Sequence, residues 1–109
     1  MRKLLLTLGM LLVAVVTMAQ DRTIIGSLFD GEVKEVVPYA AVQLLKDNAD
    51  STYVTGVTSD EKGQFALVAP SDGRYIVRAS YVGYKTIVRN VTISNNQNIN
   101  IGQLEFYND

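Results

Sequence analysis

The 109-residue chain contains neither cysteine nor histidine. Without cysteine there is no disulfide framework and no lipid-modified N-terminal Cys, so packing alone has to hold the fold. Without histidine, His-based zinc sites, Ser-His-Asp triads and Cys-His pairs are excluded together. An excess of positive charge is missing too: 10 basic side chains stand against 11 acidic ones, and they form no basic stripe of the kind that nucleic acid requires. Nor does any segment recur at helical spacing, and no internal repeat or low-complexity tract is present.

What is there begins with an export leader. Residues 1–19 read as a signal peptide helix: Arg2 and Lys3 open it, an apolar run extends from Leu4 to Met18, and the small residue Ala19 precedes Gln20 and Asp21. The run falls short of the roughly 20 residues a bilayer span needs, and no stop-transfer charges follow. Cleavage is expected after Ala19, with Thr17 at the −3 position. Residues 20–109 then form one domain with no transmembrane span. Loss of Arg2 and Lys3 leaves 8 basic residues against the 11 acidic ones, a net charge of −3.

After the leader the apolar residues alternate, and Val, Ile, Thr, Tyr and Phe are abundant, which is the period and composition of strands. Seven are expected: Thr23 to Phe29, Tyr39 to Lys46, Thr52 to Ser59, Gln64 to Ala69, Arg74 to Val82, Tyr84 to about Ile93 with a bend near Arg89 and Asn90, and Ile99 to Phe106. Asp30-Gly31, Asp47 to Ser51, Asp60 to Gly63, Pro70 to Gly73 and Ser94 to Asn98 supply the turns. Ile24, Gly26 and Leu28 are expected on one core face, with Gly26 letting the facing sheet approach closely. Ala40, Val42 and Leu44 take another, as do Tyr75, Val77, Ala79 and Tyr81, while Arg74, Arg78 and Ser80 are solvated. Seven short strands without helices predict an all-β, seven-stranded antiparallel β-sandwich.

The motifs Ile24-x-Gly26-x-Leu28-x-Asp30, Pro38-Tyr39-Ala40-x-Val42-x-Leu44, Gly56-x-Thr58-x-Asp60-x-x-Gly63-x-Phe65-x-Leu67 and Ser80-Tyr81-Val82-Gly83-Tyr84 closely resemble the carboxypeptidase regulatory-like domain. The resemblance covers essentially the whole mature chain. It implies a transthyretin-like (prealbumin-type), Greek-key, Ig-like sandwich of the carbohydrate-binding-like fold group. It further implies kinship with the N-terminal extension of TonB-dependent outer-membrane receptors of Bacteroidetes, in which a plug and barrel follow; either a receptor fragment or a free-standing domain fits. The expected setting is the periplasm or outer membrane of a Gram-negative bacterium, and the expected partner is another envelope protein or an outer-membrane receptor component.

The residues themselves offer little chemistry. Asp47, Asp50, Asp60, Glu61 and Asp72 fall in turns, which argues against a glycosidase carboxylate pair, so no enzyme and no cofactor are expected. Asp47, Asn48 and Asp50 lack the ordered ligand series of a calcium loop. Asp60, Gly63 and Phe65 are expected to build a hairpin, and Gly83 to bend the chain between Tyr81 and Tyr84 so that one ring turns inward. Glycan binding is the sharper alternative: Tyr39, Tyr53, Tyr84 and Tyr107 are the candidate stacking rings. Asn90-Val91-Thr92 and Asp50-Ser51-Thr52 match glycosylation patterns, and neither carries the argument.

Mass spectrometry of the exported chain is expected to find Gln20 as its first residue. An intact Arg2-Lys3 terminus on the mature protein would contradict the leader.

Overall fold

A computed structural model describes residues 21–109, so the export leader expected at residues 1–19 lies outside the described residues. The described residues form eight strands: β1 (Thr23–Asp30), β2 (Glu35–Val36), β3 (Ala41–Lys46), β4 (Tyr53–Thr58), β5 (Gln64–Val68), β6 (Gly73–Ser80), β7 (Ile87–Ile93) and β8 (Ile99–Phe106). They make two sheets. In the first, β1 pairs with β8 along one edge and with β5 and then β2 along the other; the second has the order β4-β3-β6-β7.

Alternation explains the core. Ile24, Leu28, Phe65, Leu67, Leu104 and Phe106 of the first sheet meet Val42, Leu44, Tyr75, Val77, Ala79, Val91 and Ile93 of the second, all buried. Period-2 side chains present one apolar face per sheet, and stacking those faces removes both from water. Val37, Ala40 and Ala69 close the ends from loops.

The all-β sandwich stands, and two of its details differ from the expectation. The eighth strand is the two-residue β2, too short to leave a periodic trace in the sequence. The second detail is orientation, because β8 runs parallel to β1 although every other pairing is antiparallel. First and last strands therefore lie side by side, which only the three-dimensional path of the chain decides.

Several strand ends also move. The second predicted strand starts at Ala41, because Pro38 and Tyr39 occupy a turn in which Tyr39 adopts φ 62°. Its N–H reaches the Ser59 carbonyl at 3.0 Å. The fifth stops at Ser80: a turn closes with the Tyr84 N–H on the Tyr81 carbonyl at 3.1 Å, so Tyr81 leaves the core face and is 42% exposed. The sixth starts at Ile87 and pairs regularly with β6 through Arg89 and Asn90, so the expected bend there is absent. Tyr84 instead bridges to Asn108.

Two glycines are compelled by their surroundings. A Cβ at Gly26 would come within 2.7 Å of Phe65 Cζ and 3.0 Å of Ile101 Cγ1. Both neighbours belong to Gly26's own sheet, so the gap is filled by adjacent strands and not by an approaching second layer, which corrects the expectation. The β5 ring covers the missing side chain, as aromatics cover strand glycines elsewhere. Gly63 has φ 77°, and a Cβ there would lie 2.6 Å from the Leu28 carbonyl oxygen, which also receives the Val37 N–H.

Gly63→Ala is expected to lower the unfolding free energy by more than about 1 kcal/mol, because the left-handed conformation and the backbone collision add. Phe106→Ala, at a fully buried position, should cost about 3–5 kcal/mol. Urea denaturation checks both.

Candidate functional site

The sequence hides one buried charge. Asp30 continues the inward register of Ile24 and Leu28 and is only 5% exposed. Its Oδ1 accepts the Glu32 N–H at 2.8 Å and the Val33 N–H at 3.1 Å, and its Oδ2 accepts the Tyr84 hydroxyl. Every oxygen is thereby satisfied, as a buried carboxylate requires. The Tyr84 hydroxyl, then the Val33 N–H, hold the Asp30 carboxyl below its ordinary value of 3.8, against the opposing effect of burial. Donation to Asp30, reinforced by burial and by that carboxylate's charge, raises Tyr84 above its ordinary 10.0.

This pair organises one end of the sandwich. The Tyr84 ring packs against Phe106 at 5.4 Å and Tyr81 at 6.0 Å between centroids. The C-terminal residues fold back over it: the Lys85 N–H meets the Tyr107 carbonyl at 3.0 Å, and the Asp109 N–H meets the Gly83 carbonyl at 3.1 Å. Tyr107 lies against Gly31, and its hydroxyl donates to Glu105 at 2.6 Å, which raises the Tyr107 pKa. A second lock joins the loops. Ser59, 1% exposed, accepts the Ala40 N–H and donates to the Val37 carbonyl, each at 2.9 Å.

The four candidate rings do not converge on one surface. Tyr84 and Tyr107 sit together at the Asp30 end, the first half-buried and bonded to Asp30. Tyr39 projects from its turn, 62% exposed, and Tyr53 pairs with Leu45 at the far end of β3. The hairpin residues are placed as a unit: Asp60 Oδ1 accepts the Lys62 and Gln64 N–H groups, each at 2.9 Å, Gly63 takes the left-handed corner and Phe65 is buried. Gly83, at φ 92°, sits in the turn between Tyr81 and Tyr84. Asn48 is spent on Thr52 within its own loop, and among the described residues no cluster of acidic side chains has the makings of a metal site.

An open groove of about 680 Å³ runs between the first sheet and the β4 edge of the second, lined by Ile25, Ser27, Gln64 and Gln103 together with Val57 and Thr58. Its lining is amide, hydroxyl and aliphatic surface with Phe65 and the Asp60 carboxylate. Among the described residues the buried polar side chains are Asp30 and Ser59, and both are consumed by turns.

Residues 24–106 match the CarboxypepD_reg-like domain. The chain belongs to that family. Solved structures agree with a CarboxypepD_reg-like sandwich at the level of fold. BcpA, the major pilin subunit of Bacillus cereus, superposes with TM-score 0.63 at 19% identity over 83% of this chain and 31% of its own. The C-terminal domain of the shaft pilin spaA from Lactobacillus rhamnosus GG gives 0.60 at 15% identity, over 84% of this chain and 100% of its own. The 5-hydroxyisourate hydrolase of Klebsiella pneumoniae gives 0.58 at 12% identity, over 80% and 97%. The chain spans less than half the length of the group B streptococcus pilus 2b backbone protein, 43%, and of BcpA. No curated protein matches it.

The sign of the pH dependence follows from the two shifts at the Asp30 end. The depressed Asp30 contributes stability above its unfolded value that is lost as pH falls through the folded one; the raised Tyr84 contributes stability below its ordinary 10.0 that is lost as pH rises through the folded value. Tyr84→Phe is therefore expected to flatten both the acid and the alkaline limbs of a thermal melting curve plotted against pH. Unchanged limbs in that variant would refute the assignment.

Proposed function

We propose that this CarboxypepD_reg-like chain is a non-catalytic interaction domain of a Gram-negative envelope, exported by its leader and related to the N-terminal extension of TonB-dependent outer-membrane receptors. The observation that carries the reading is the family match over residues 24–106, joined to a structure whose buried polar side chains are spent on holding turns. The leader supports export, and the absence of histidine and cysteine removes the common nucleophile and base pairs. The expected partner is another envelope protein or an outer-membrane receptor component.

Recognition on such a domain falls to faces and loop ends more than to sheet edges. In β7, Arg89 opposes the buried Val77, so a charge occupies an inward register position on an edge strand. Bulges interrupt β4 at Val54 and β8 at Ile101 and Gly102. Both devices discourage strand addition.

Fractionation of a Gram-negative host producing the tagged, leader-bearing chain tests the reading, combined with in-cell cross-linking. The processed chain is expected in the periplasmic or outer-membrane fraction, cross-linked to an outer-membrane receptor component. Retention of the unprocessed chain in the cytosol would overturn it.

A further inference from the structure

Most strand edges of this domain are guarded, and one is not. β2 is two residues long, β4 and β8 are bulged, and β7 sets Arg89 opposite the buried Val77. β5 also pairs on one side only, with β1, yet its register runs unbroken from Gln64 to Val68 and it contains no proline, glycine or charged residue. An edge left regular and uncharged is a template for another strand.

The hairpin decides which main-chain groups that edge presents. The Gln64 N–H goes to Asp60 Oδ1 and the Gln64 carbonyl takes the Asp60 N–H, each at 2.9 Å, so the main chain of Gln64 faces away from β1. One residue out of phase, the Gly63 carbonyl takes the Leu28 N–H and the Ala69 N–H goes to the Arg22 carbonyl. The pattern alternates along an antiparallel pair, so Phe65 and Leu67 bond β1. The N–H and C=O groups of Ala66 and Val68 therefore point out along the free edge, with no partner among the described residues.

The groove between the first sheet and β4 opens beside this edge. Gln64 and Ala66 belong to one wall and Val57 and Thr58 to the other, with Asp60 at the hairpin end. Ile25 and Val57 in the lining, and Val68 on β5, are 36 to 43% exposed.

We propose that this groove takes an extended segment of another polypeptide, added to β5 as a further strand. The main chain selects the occupant: donors and acceptors repeating every second residue at Ala66 and Val68 match a peptide backbone. Alternate apolar side chains of the segment then cover Val57 inside the groove and Ala66 and Val68 on the outer face. A second copy of the folded sandwich does not fit, because β4 forms the opposite wall and leaves room for a lone strand. The inference deepens the interaction-domain reading by giving the form of the partner, and a test on the purified chain separates its failure from that of the envelope assignment.

That test is a nuclear magnetic resonance titration of the purified chain with a short peptide of alternating threonine and valine, carrying a lysine at each end. Saturable binding is expected, with the amide shifts centred on Ala66 and Val68. Ala66→Pro removes an N–H that the fold does not use and should weaken binding about tenfold or more, with circular dichroism confirming that the variant folds. Against the unaltered chain, methylating the alternate set of peptide nitrogens that faces β5 should abolish binding, and methylating the other set should preserve it. Absence of saturable binding, shifts centred elsewhere, equal loss from both methylated peptides, a folded Ala66→Pro variant of undiminished affinity, or a dimer formed through β5 would overturn it.

Discussion

The structure depends on a carboxylate placed where carboxylates are seldom tolerated, at the inward-facing end of the strand that three others share. β1 carries β8 on one edge and β5 and β2 on the other, and Asp30 stands where β1 ends and the turn to β2 begins. An unpaired charge there would be expensive. Because two N–H groups and the Tyr84 hydroxyl satisfy it, the cost becomes a tether: the first turn, the loop after β6 and the C-terminal residues all meet at one point. Disulfides do this work in many small exported domains; here hydrogen bonds and aromatic packing replace them.

That arrangement leaves a division of labour. The interior is apolar, and among the described residues the buried Asp30 and Ser59 are both committed to holding loops. The outer surfaces differ in character: amides and aliphatics with Asp60 beside the first sheet, an aromatic ring with two arginines and Asp47 over the second. A fold shared with pilin domains and with a hydrolase at 12–19% identity specifies none of these surfaces. The fold by itself therefore leaves open what the faces and loops of this chain recognise.

Legibility followed the range of the interactions. Strand positions, the Asp60-Gly63-Phe65 hairpin and the inward sets at Val42, Leu44, Val77 and Ala79 were readable because alternation and turn chemistry are local. Alternation places Tyr81 on the core face, since a run of alternating residues gives no sign that the turn closing at Tyr84 starts before the period ends. Gly26 was legible as a special position, yet its reason lay in Phe65 and Ile101, distant in sequence. In the sequence Asp30 has the look of turn punctuation; its burial follows from register, and a polar residue extending the Ile24, Leu28 series is the available signal. For Tyr53, exposure and aromaticity were visible, whereas the Gly56 beneath its ring and the neighbouring Arg78 and Gln43 were not.

Composition and period by themselves determined that this chain is all-β and lacks the residues of histidine- and cysteine-based catalysis, because each of these depends on residue type and near neighbours. Tertiary structure alone decided the parallel pairing of the first and last strands, the buried Asp30 and Tyr84 contact, and the rows of side chains that meet across the outer sheet face. Those arise from residues tens of positions apart in the sequence. No local propensity encodes which strand edges find one another; that choice is made by the packing of two apolar faces.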